Sequence, residues 1–569
     1  MRNYLFLLAF VFIFSCENSK SSDNKTPVDA IETAEESLDN KTPVDATETA
    51  EESSDLSAIS TKDFREFKVL DSENLTKEDI WEAINPQMVD FKESDYNRLK
   101  PFILEKDITE LQVFRTANKF TYVELTKFYL YRIRKFDREN PLSLNSVIAI
   151  NPNVIEEAKL RDDDFVNKRM KHPIIGMPIL LKDNVNAAGM ATTAGAVALK
   201  DNFAEDAFIV KQLKSKGALI LGKANLSEWA YFFCGDCPSG YSAVGGQTLN
   251  PYGRRIIDTG GSSAGSGVSV AANFCAAAIG SETSGSILSP ASQNSTVGLK
   301  PTIGLVSRSG IVPISSTLDT AGPITKTVMD NAILLDAIFG EDKSDSKSFM
   351  ILWETGFYFN NLKEASLEGK RFGAPKRLLT DTLYANALEI LKSQGAEIVE
   401  INEEQLGLPN FLRLLNLDMK KDLPTYMEGY ANKDIDLRTV SDMMAFNLKD
   451  SLKTMPYGQN LFKGIANDNG DAIFLEHIKD TLKTNGKQYF DKPMDANTLD
   501  GFLSINNYHA GFAAVAEYPA LTIPMGYTGE GVPKGLTFIG KRLQEKQLLA
   551  WAYVYEQASK ARVAPKNYN

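Results

Sequence analysis

The sequence predicts the α/β fold class, because segments with helical and with strand-like patterns alternate along most of its 569 residues. Residues 122–136 carry apolar side chains at helical spacing, which predicts an amphipathic helix. The short apolar runs at 146–150 and 174–181 are typical of strands, and the second ends just before Lys182. A run of small apolar residues, 268–278, lies between two Gly/Ser-rich turns and predicts a buried helix packed closely against a sheet.

The same alternation continues toward the carboxyl terminus. Helices are predicted at 207–216, 329–340, 382–393 and 547–560. Strands are predicted at 218–221, 371–375, 396–401, 521–525 and 535–539. Between these elements, residues from about 410 to 495 are rich in helix formers and charges, which predicts a helical insert.

The composition is that of a soluble globular protein, with 43% hydrophobic and 24% charged residues. The formal net charge is −12. Because binding to a phosphate backbone needs a basic surface, we expect no nucleic-acid partner.

The amino terminus has the pattern of a bacterial lipoprotein signal. Residues 1–15 have a basic start at Arg2 and an apolar core that is too short to span a membrane as a mature helix. The last residues before Cys16, Ile-Phe-Ser, resemble a lipobox, which implies cleavage before Cys16 and a lipid on its side chain. The alternative is an ordinary secretory signal with a chance cysteine. We therefore expect a protein of the bacterial cell envelope, anchored to the membrane through Cys16 on its periplasmic or surface side.

Residues 16–56 are predicted to be a flexible acidic spacer. The segment 25–38 (KTPVDAIETAEESL) recurs at 41–54 as KTPVDATETAEESS, a repeat with a period of 16 residues. These residues include almost no large apolar side chain, so they cannot bury enough surface to fold alone. Residues 57–106 carry more aromatic side chains and are predicted to be a lead-in segment.

The two Gly/Ser-rich turns, at 260–267 and 280–286, are the strongest candidates for a site of chemistry. Residues 261–265 (GSSAG) match the nucleophile elbow of α/β-hydrolases, which would make Ser263 the nucleophile. That motif needs a strand directly before it, and only two β-branched apolar residues precede it.

A phosphate-binding loop is a second alternative, but no Lys-Ser or Lys-Thr pair follows these glycines. Residues 217–224 nearly match a P-loop but end in alanine, so we interpret them as a strand.

Further motifs surround these turns in a fixed order. They are GMPILLKDN at 176–184, GKANLSEW at 222–229, GGSSAGSG at 260–267, SETSGSI at 281–287, LDTAGPIT at 318–325 and EYPALTIP at 517–524. Together they resemble the amidase signature family, nearest its peptide-amidase-like branch, over roughly residues 110–562. The resemblance implies one large domain at 107–565, with a mixed central β-sheet covered by helices on both faces.

By motif position, the resemblance implies a Ser-Ser-Lys triad. Lys182 corresponds to the general base, Ser262 to the bridging serine that the family holds after a cis peptide bond, and Ser286 to the acylated nucleophile. The separation between the two serines also matches the family. The positions that correspond to the backbone N–H groups of the oxyanion hole are Thr283, Ser284, Gly285 and Ser286.

The chemistry of serine and lysine explains why these residue types are needed. Serine is a weak nucleophile that needs a base within hydrogen-bond reach. Lysine must be desolvated to lose its charge near neutral pH, and the apolar run before Lys182 would provide that environment. The sequence departs from the family at Ala264, Ser284 and Leu288, which bears on substrate choice and on the oxyanion loop rather than on the triad.

Cysteine and histidine give little support for a metal site. Cys234 and Cys237 have redox or metal spacing, but there is no second such pair and His172 has no obvious partner, so we predict no metal. The alternatives for this pair are a local disulfide and two free thiols. Cys275 is predicted to pack inside the buried helix. Residues 231–250, a long polar and aromatic loop, resemble the family segment that lines the substrate pocket.

The three histidines, His172, His477 and His509, all lie outside the Gly/Ser motifs, and we interpret them as surface or core residues. His509 lies late in the chain, where the elbow scheme would place its histidine.

The predicted function is hydrolysis of a carboxamide C–N bond, in a small molecule or a peptide, through an acyl-enzyme on Ser286 and without a metal or organic cofactor. One alternative is the A-type subunit of a tRNA-dependent amidotransferase, which shares the signature but would be cytoplasmic and need partner subunits. Another is a non-catalytic binding lipoprotein. The particular amide and the oligomeric state stay open.

Overall fold

A computed structural model describes residues 70–568, which are built around one eleven-stranded β-sheet. The strands are β1 (Val147–Ile150), β2 (Pro178–Lys182), β3 (Leu219–Ala224), β4 (Tyr241–Ser242), β5 (Gly246–Gln247), β6 (Ala277–Glu282), β7 (Val297–Lys300), β8 (Thr320–Thr325), β9 (Arg371–Pro375), β10 (Glu397–Ile401), β11 (Gly501–Ile505), β12 (Ala520–Tyr527) and β13 (Pro533–Ile539). Strands β4 and β5 form a separate two-stranded ribbon.

Three predicted features lie outside the described residues: the signal at 1–15, the lipid-bearing Cys16 and the spacer at 16–56. The lead-in segment is described from residue 70 onward. Its helices belong to the main body of the protein, because Trp81, Tyr96 and Leu99 are buried in the main hydrophobic core.

The large sheet is mixed, with the strand order β1-β3-β2-β6-β8-β7-β12-β13-β11-β9-β10. Strand β2 runs parallel to both of its neighbours, β3 and β6, and β9 runs parallel to β10 and β11. The remaining pairs are antiparallel. Because the carboxyl ends of parallel strands meet at one edge of a sheet, the residues that end β2 and β6 lie side by side.

Helices flank this sheet. They are α1 (Lys77–Trp81), α2 (Glu93–Ile103), α3 (Ile108–Thr116), α4 (Tyr122–Phe136), α5 (Val154–Val166), α6 (Phe208–Ser215), α7 (Ala264–Ala271), α8 (Leu288–Gln293), α9 (Val328–Ile338), α10 (Thr382–Ser393), α11 (Phe411–Gly429), α12 (Val440–Asn447), α13 (Ser451–Thr454), α14 (Asn460–Asn467), α15 (Ala472–Asn497), α16 (Ala510–Val515) and α17 (Glu545–Ser559). The predicted fold class, an α/β domain with a mixed central sheet flanked by helices, is confirmed. None of the helices within 70–568 has both the length and the hydropathy that crossing a membrane requires.

The prediction of one buried helix over residues 268–278 is wrong. Helix α7 ends at Ala271 and strand β6 begins at Ala277, so Cys275 lies in the connection between them rather than inside a helix. The composition fits both structures, because a fully buried strand is a continuous run of small apolar residues without alternation.

The helical insert predicted at about 410–495 corresponds to helices α11 to α15. Its apolar side chains form a second hydrophobic core that also includes Trp229, Phe232 and Phe233. The backbone N–H groups of Leu461 and Phe462 donate to the carbonyl oxygen of Phe233, at 3.0 and 3.3 Å. The insert is therefore joined directly to the aromatic loop at 231–250.

Candidate active site

Lys182 is the last residue of β2, and its side chain is fully buried. Its Nζ atom lies 2.8 Å from the Oγ atom of Ser262. It also lies 2.9 Å from the Oγ atom and 3.1 Å from the carbonyl oxygen of Ser281, near the end of the parallel neighbour β6. Within residues 70–568, no carboxylate forms an ion pair with this amine. Lys182 is thus held by hydroxyl and carbonyl oxygens alone.

Burial lowers the pKa of Lys182 to about 7, although the negative charges of Asp319 and Glu282 act in the opposite direction. A substantial fraction of the amine is therefore neutral near neutral pH. When it is neutral, its two N–H groups can donate to the two oxygens of Ser281, which leaves the lone pair for the hydroxyl of Ser262. This is the geometry of a base that can remove a proton from serine.

Ser262 lies in the turn before α7, with 1% of its surface exposed. The peptide bond between Gly261 and Ser262 is cis, as the family resemblance implied. The carbonyl oxygen of Ser262 accepts a hydrogen bond of 3.0 Å from the N–H of Ser227. A Cβ atom on Gly261 would lie 2.6 Å from the Oγ atom of Ser227, so a side chain at position 261 would displace that hydroxyl.

Ser286 lies in the second turn, between β6 and α8. Its carbonyl oxygen accepts a hydrogen bond of 3.2 Å from the N–H of Ser263, which joins the two Gly/Ser-rich turns directly. The residue is 6% exposed, and its hydroxyl has no hydrogen-bond partner in the described part of the chain. The two turns are therefore joined through their backbones, and the Ser286 hydroxyl is not engaged by another described residue.

The carboxylate of Glu282 organises the loop that carries Ser286. Its Oε1 atom accepts the N–H of Gly285 at 2.7 Å, and its Oε2 atom accepts those of Ile287 and Leu288 at 2.8 and 3.0 Å. The Gly285 N–H, one of the four assigned to the oxyanion hole, is thus committed to Glu282 in this structure. For the other three, at Thr283, Ser284 and Ser286, no protein acceptor is present among residues 70–568.

A second carboxylate fixes the start of the same loop. The hydroxyl of Thr283 donates to the Oδ1 atom of Asp319 at 2.6 Å. The Oδ2 atom of Asp319 accepts the N–H groups of Ile314 and Ser315 at 2.8 and 2.9 Å. Burial raises the pKa of Asp319, partly offset by these hydrogen bonds. The loop is therefore held at both ends, which is the preorganisation that an oxyanion hole needs.

The competing nucleophile, Ser263, is not arranged for attack. Its side chain is fully buried, and its hydroxyl bonds to the backbone of Ser281, donating to the carbonyl oxygen at 3.1 Å. His509, the histidine that an elbow scheme would use, lies elsewhere. Its Nδ1 atom is 2.6 Å from the Oγ atom of Ser504, and its Nε2 atom is 2.7 Å from Glu403. Ser504 is itself fully buried in β11, so this Ser-His-Glu contact faces no substrate.

The other residues singled out in the sequence have structural contacts. His172 is buried, and its Nε2 atom lies 3.2 Å from the Oδ1 atom of Asp336. Residues 217–224 include strand β3 and do not form a phosphate-binding loop. Cys234 and Cys237 are paired as a disulfide, the first of the two alternatives for these residues. Within the described residues, no three His, Cys, Asp or Glu side chains are grouped to hold a metal ion.

Ser281, Glu282 and Asp319 also shape the site, although none of them was predicted to belong to it. Ser281 and Glu282 belong to the SETSGSI motif and Asp319 to LDTAGPIT, so the motifs contained the signal. The motifs do not show that β6 lies beside β2. This strand pairing brings Ser281 to the amine of Lys182.

Comparison with known proteins identifies the family of this chain. Residues 124–477 match the model of the Amidase family. A probable amidase of Arabidopsis thaliana is 36% identical over 487 residues, which cover 82% of this chain and 92% of that protein. The A-type subunit of the glutamyl-tRNA(Gln) amidotransferase of Caldanaerobacter subterraneus subsp. tengcongensis is 30% identical, covering 81% of this chain and 97% of that protein.

Among solved structures, the native peptide amidase of Stenotrophomonas maltophilia matches with a TM-score of 0.77 and 39% identity. The match covers 81% of this chain and 98% of the peptide amidase. The chain therefore belongs to the amidase signature family, and it is a hydrolase that cleaves carboxamide C–N bonds through a seryl acyl-enzyme.

Proposed function

We propose that Lys182, Ser262 and Ser286 are the catalytic residues of this amidase. The observation that supports the proposal most strongly is the 2.8 Å contact between the buried amine of Lys182 and the hydroxyl of Ser262. The neutral amine takes the proton of Ser262, and Ser262 takes the proton of Ser286 as the latter attacks the substrate carbonyl.

The tetrahedral intermediate then collapses to an acyl-enzyme. Its C–N bond breaks, and the leaving ammonia or amine takes the proton back through Ser262 from the ammonium of Lys182. Water attacks the ester on Ser286 with the same base, which releases the carboxylic acid and restores the hydroxyl. We assign stabilisation of the oxyanion to the N–H groups of Thr283, Ser284 and Ser286, since that of Gly285 is engaged by Glu282.

We propose linear amides as the substrates, with peptide C-terminal amides as the first class to test. The likeness to the peptide amidase of Stenotrophomonas maltophilia supports this choice. The test is a hydrolysis screen of an amide library with the full chain and with Ser286→Ala. Product formation by the wild type that Ser286→Ala abolishes supports the proposal, and equal activity in both proteins contradicts it.

A component of a tRNA-dependent amidotransferase is the second candidate, favoured by the 30% identity to the A-type subunit of the Caldanaerobacter enzyme. Free glutamine in the same library separates the two functions. Glutamine as the only substrate would favour the amidotransferase, whereas turnover of other amides without a partner chain favours the free-standing amidase. A chain that cleaves nothing and reacts with no serine probe would be the non-catalytic lipoprotein.

We also propose that residues 107–565 form the amidase domain and that the enzyme is held at the cell envelope by a lipid on Cys16. The charged start at Arg2, the short apolar core of residues 1–15 and the acidic repeat after them support the anchor. The test is cell fractionation with Cys16→Ser. The wild type should be found with the membranes and the variant in the soluble fraction, and an unchanged distribution would contradict the anchor.

A further inference from the structure

Asn507 is a buried amide that the proposed mechanism does not use. It lies in the connection between β11 and α16 and is 8% exposed. Its Oδ1 atom is buried and has no hydrogen-bond partner among residues 70–568, and its Nδ2 atom donates to no residue of that range. Every other buried asparagine in this part of the chain makes at least one side-chain hydrogen bond to the protein. Leaving a buried amide without a partner is costly, so this group calls for a ligand.

The side chain of Asn507 lies against the loop that carries the proposed nucleophile. A Cβ atom on Gly285 would lie 3.0 Å from the Nδ2 atom and 3.5 Å from the Cβ atom of Asn507. Gly285 directly precedes Ser286 in the chain. The unpartnered amide is therefore in contact with the residue next to the nucleophile.

The accessible part of the catalytic centre lies on this loop. Ser262 is only 1% exposed, whereas Ser286 keeps 6% and Asn507 keeps 8% of its surface exposed. Ser284, on the other side of Gly285, is also 8% exposed, and its hydroxyl has no hydrogen-bond partner in the described part of the chain. A substrate that reaches Ser286 therefore meets polar groups that the protein itself leaves unpaired.

The backbone around Asn507 is fixed by its neighbours. The N–H of Asn506 donates to the carbonyl oxygen of Gly535 in β13 at 2.8 Å, and the Oδ1 atom of Asn506 accepts the N–H of Gly535 at 2.7 Å. The carbonyl oxygen of Asn507 accepts the N–H of Ala510 at 3.0 Å. The chain thus positions the Asn507 side chain without using its polar atoms, which is the preorganisation expected of a binding group.

The chemistry of an amide selects a neutral partner. An asparagine side chain offers one acceptor oxygen and one NH₂ donor and carries no charge. Ammonium and carboxylate groups bind best to a group of the opposite charge, whereas an amide pairs well with a neutral N–H or C=O group. In a peptide amide, the neutral N–H closest to the scissile carbonyl is that of the last peptide group, which is attached to the adjacent carbon atom.

We propose that the Oδ1 atom of Asn507 accepts a hydrogen bond from the peptide N–H next to the scissile carboxamide, so that the enzyme prefers amides whose α-nitrogen is acylated. This inference rests on the proposed amidase function and adds a substrate feature to it. Asn507 acts here as a specificity residue, while the triad acts on the carboxamide.

The test compares N-acetylleucinamide with its ketomethylene analogue, in which a CH₂ group replaces the N–H, using the full-length protein and the release of ammonia. The wild type should have a kcat/KM ratio of at least about tenfold in favour of N-acetylleucinamide, because the analogue leaves Oδ1 of Asn507 unpaired. In Asn507→Leu the ratio should fall to about 1 or below, since the N–H is then desolvated without an acceptor. A wild-type ratio near 1, or a ratio that survives in Asn507→Leu, would overturn the proposal.

Asn507→Asp is the conservative variant. A carboxyl group keeps an acceptor oxygen whether or not it is protonated, so this variant should keep at least a several-fold preference for the N–H. Loss of the preference to the same extent as in Asn507→Leu would contradict the assigned hydrogen bond. If Asn507→Leu lowered kcat equally for both compounds and left the ratio unchanged, Asn507 would be a structural residue or a donor to the oxyanion, and the proposal would be wrong.

Asn416→Leu is the matched control. Asn416 is also buried, with Oδ1 without a partner among the described residues and Nδ2 3.4 Å from the Oδ2 atom of Asp468, but it belongs to helix α11 of the insert. The control should keep the wild-type ratio, and a ratio that fell equally in both leucine variants would overturn the proposal. If Asn507→Leu does not fold, Asn507→Ala replaces it with the same two outcomes.

A binding measurement separates this inference from the amidase function itself. If the wild type releases ammonia from neither compound, the proposed function fails, and calorimetric titration with the same two compounds then tests Asn507 alone. N-acetylleucinamide should bind the wild type and Asn416→Leu at least about tenfold more tightly than the analogue does, and this difference should be lost in Asn507→Leu. Equal dissociation constants in the wild type, or no binding of either compound, would mean that the amide of Asn507 meets only water and would overturn the inference.

Discussion

The amines of Lys182 and Lys223 lie on neighbouring parallel strands, both fully buried, yet only one of them has a charged partner. Lys223 Nζ lies 2.8 Å from Asp183 Oδ1 in a buried ion pair. Lys182 Nζ lies 2.8 Å from the neutral hydroxyl of Ser262 and has no ion pair within the described residues. Asp183 therefore favours the charged form of Lys223, although burial lowers the pKa of that amine as well, whereas Lys182 has no such partner and is able to be neutral in its proposed role as the base.

The pH dependence of the reaction should follow from this difference. Only the neutral amine of Lys182 can act as the base, and burial lowers its pKa to about 7. We therefore expect kcat/KM to rise about tenfold per pH unit below that value and to level off above it. The measurement is kcat/KM between about pH 5 and about pH 9. Circular dichroism at each pH is the control for unfolding. If kcat/KM did not fall as the pH decreased below neutral, the role of Lys182 as the base would be contradicted.

Ser262→Ala should interrupt the proton relay. Without the bridging hydroxyl, Lys182 has no path to Ser286, and kcat should fall by about 10²–10⁴-fold with a smaller change in KM. Ser263→Ala is the neighbouring control, because the Ser263 hydroxyl bonds to the backbone of Ser281 and not to Lys182. Steady-state kinetics of the two variants give the answer. Retention of kcat in Ser262→Ala would rule out the relay.

Glu282→Gln should weaken the loop that carries Ser286. The carboxylate accepts three backbone N–H groups with its two oxygens, whereas an amide has one acceptor oxygen and turns an NH₂ group toward the other donors. We expect kcat to fall by about 10²-fold and the free energy of unfolding to fall by about 1–3 kcal/mol. Kinetics and urea unfolding measure the two effects. Glu545, a fully buried carboxylate whose Oε1 atom accepts the N–H of Thr302 at 2.7 Å, provides the control. Glu545→Gln should show only the loss of stability, so equal kcat values in these two variants would contradict the assigned role.

Several elements could be predicted closely because their ends are fixed by local chemistry. Helix α4 begins after Thr121, whose side chain accepts the N–H of Glu124 in a capping box, and its bounds match the prediction. Helix α10 begins after Asp381, whose side chain accepts the N–H groups of Leu383 and Tyr384, and its bounds also match the prediction. In both cases a capping residue directly precedes a run of apolar residues at helical spacing, so the sequence contains the boundary.

Other features depend on tertiary contacts that no local pattern contains. The small residues of 268–278 fit a helix and a buried strand equally well, and only the sheet order decides that β6 begins at Ala277. For the same reason the contact of Lys182 with Ser281 could not be predicted, since the two residues are far apart in sequence. The motifs identified candidate residues, and the arrangement of strands determined which of them meet.

The disulfide in the aromatic loop should be found in the protein isolated from its own cells. Peptide mapping without reduction should give a linked Cys234–Cys237 peptide, because disulfides persist outside the cytoplasm, where the proposed lipid anchor would hold the enzyme. Cys275 is the internal control: it is buried, and burial raises the pKa of its thiol to about 12, so iodoacetamide should modify it only after unfolding. Two alkylated thiols at 234 and 237 in the native protein would contradict the disulfide.

The most direct test of the central claim is the site at which the enzyme becomes covalently modified. The native protein is treated with a fluorophosphonate, digested and analysed by mass spectrometry, in parallel with Lys182→Met. We predict a single adduct on Ser286 in the wild type, and labelling slowed by at least about 10²-fold in Lys182→Met because the hydroxyl is no longer activated. An adduct on Ser263 or Ser504, or equally fast labelling without Lys182, would contradict the Ser-Ser-Lys mechanism in this protein.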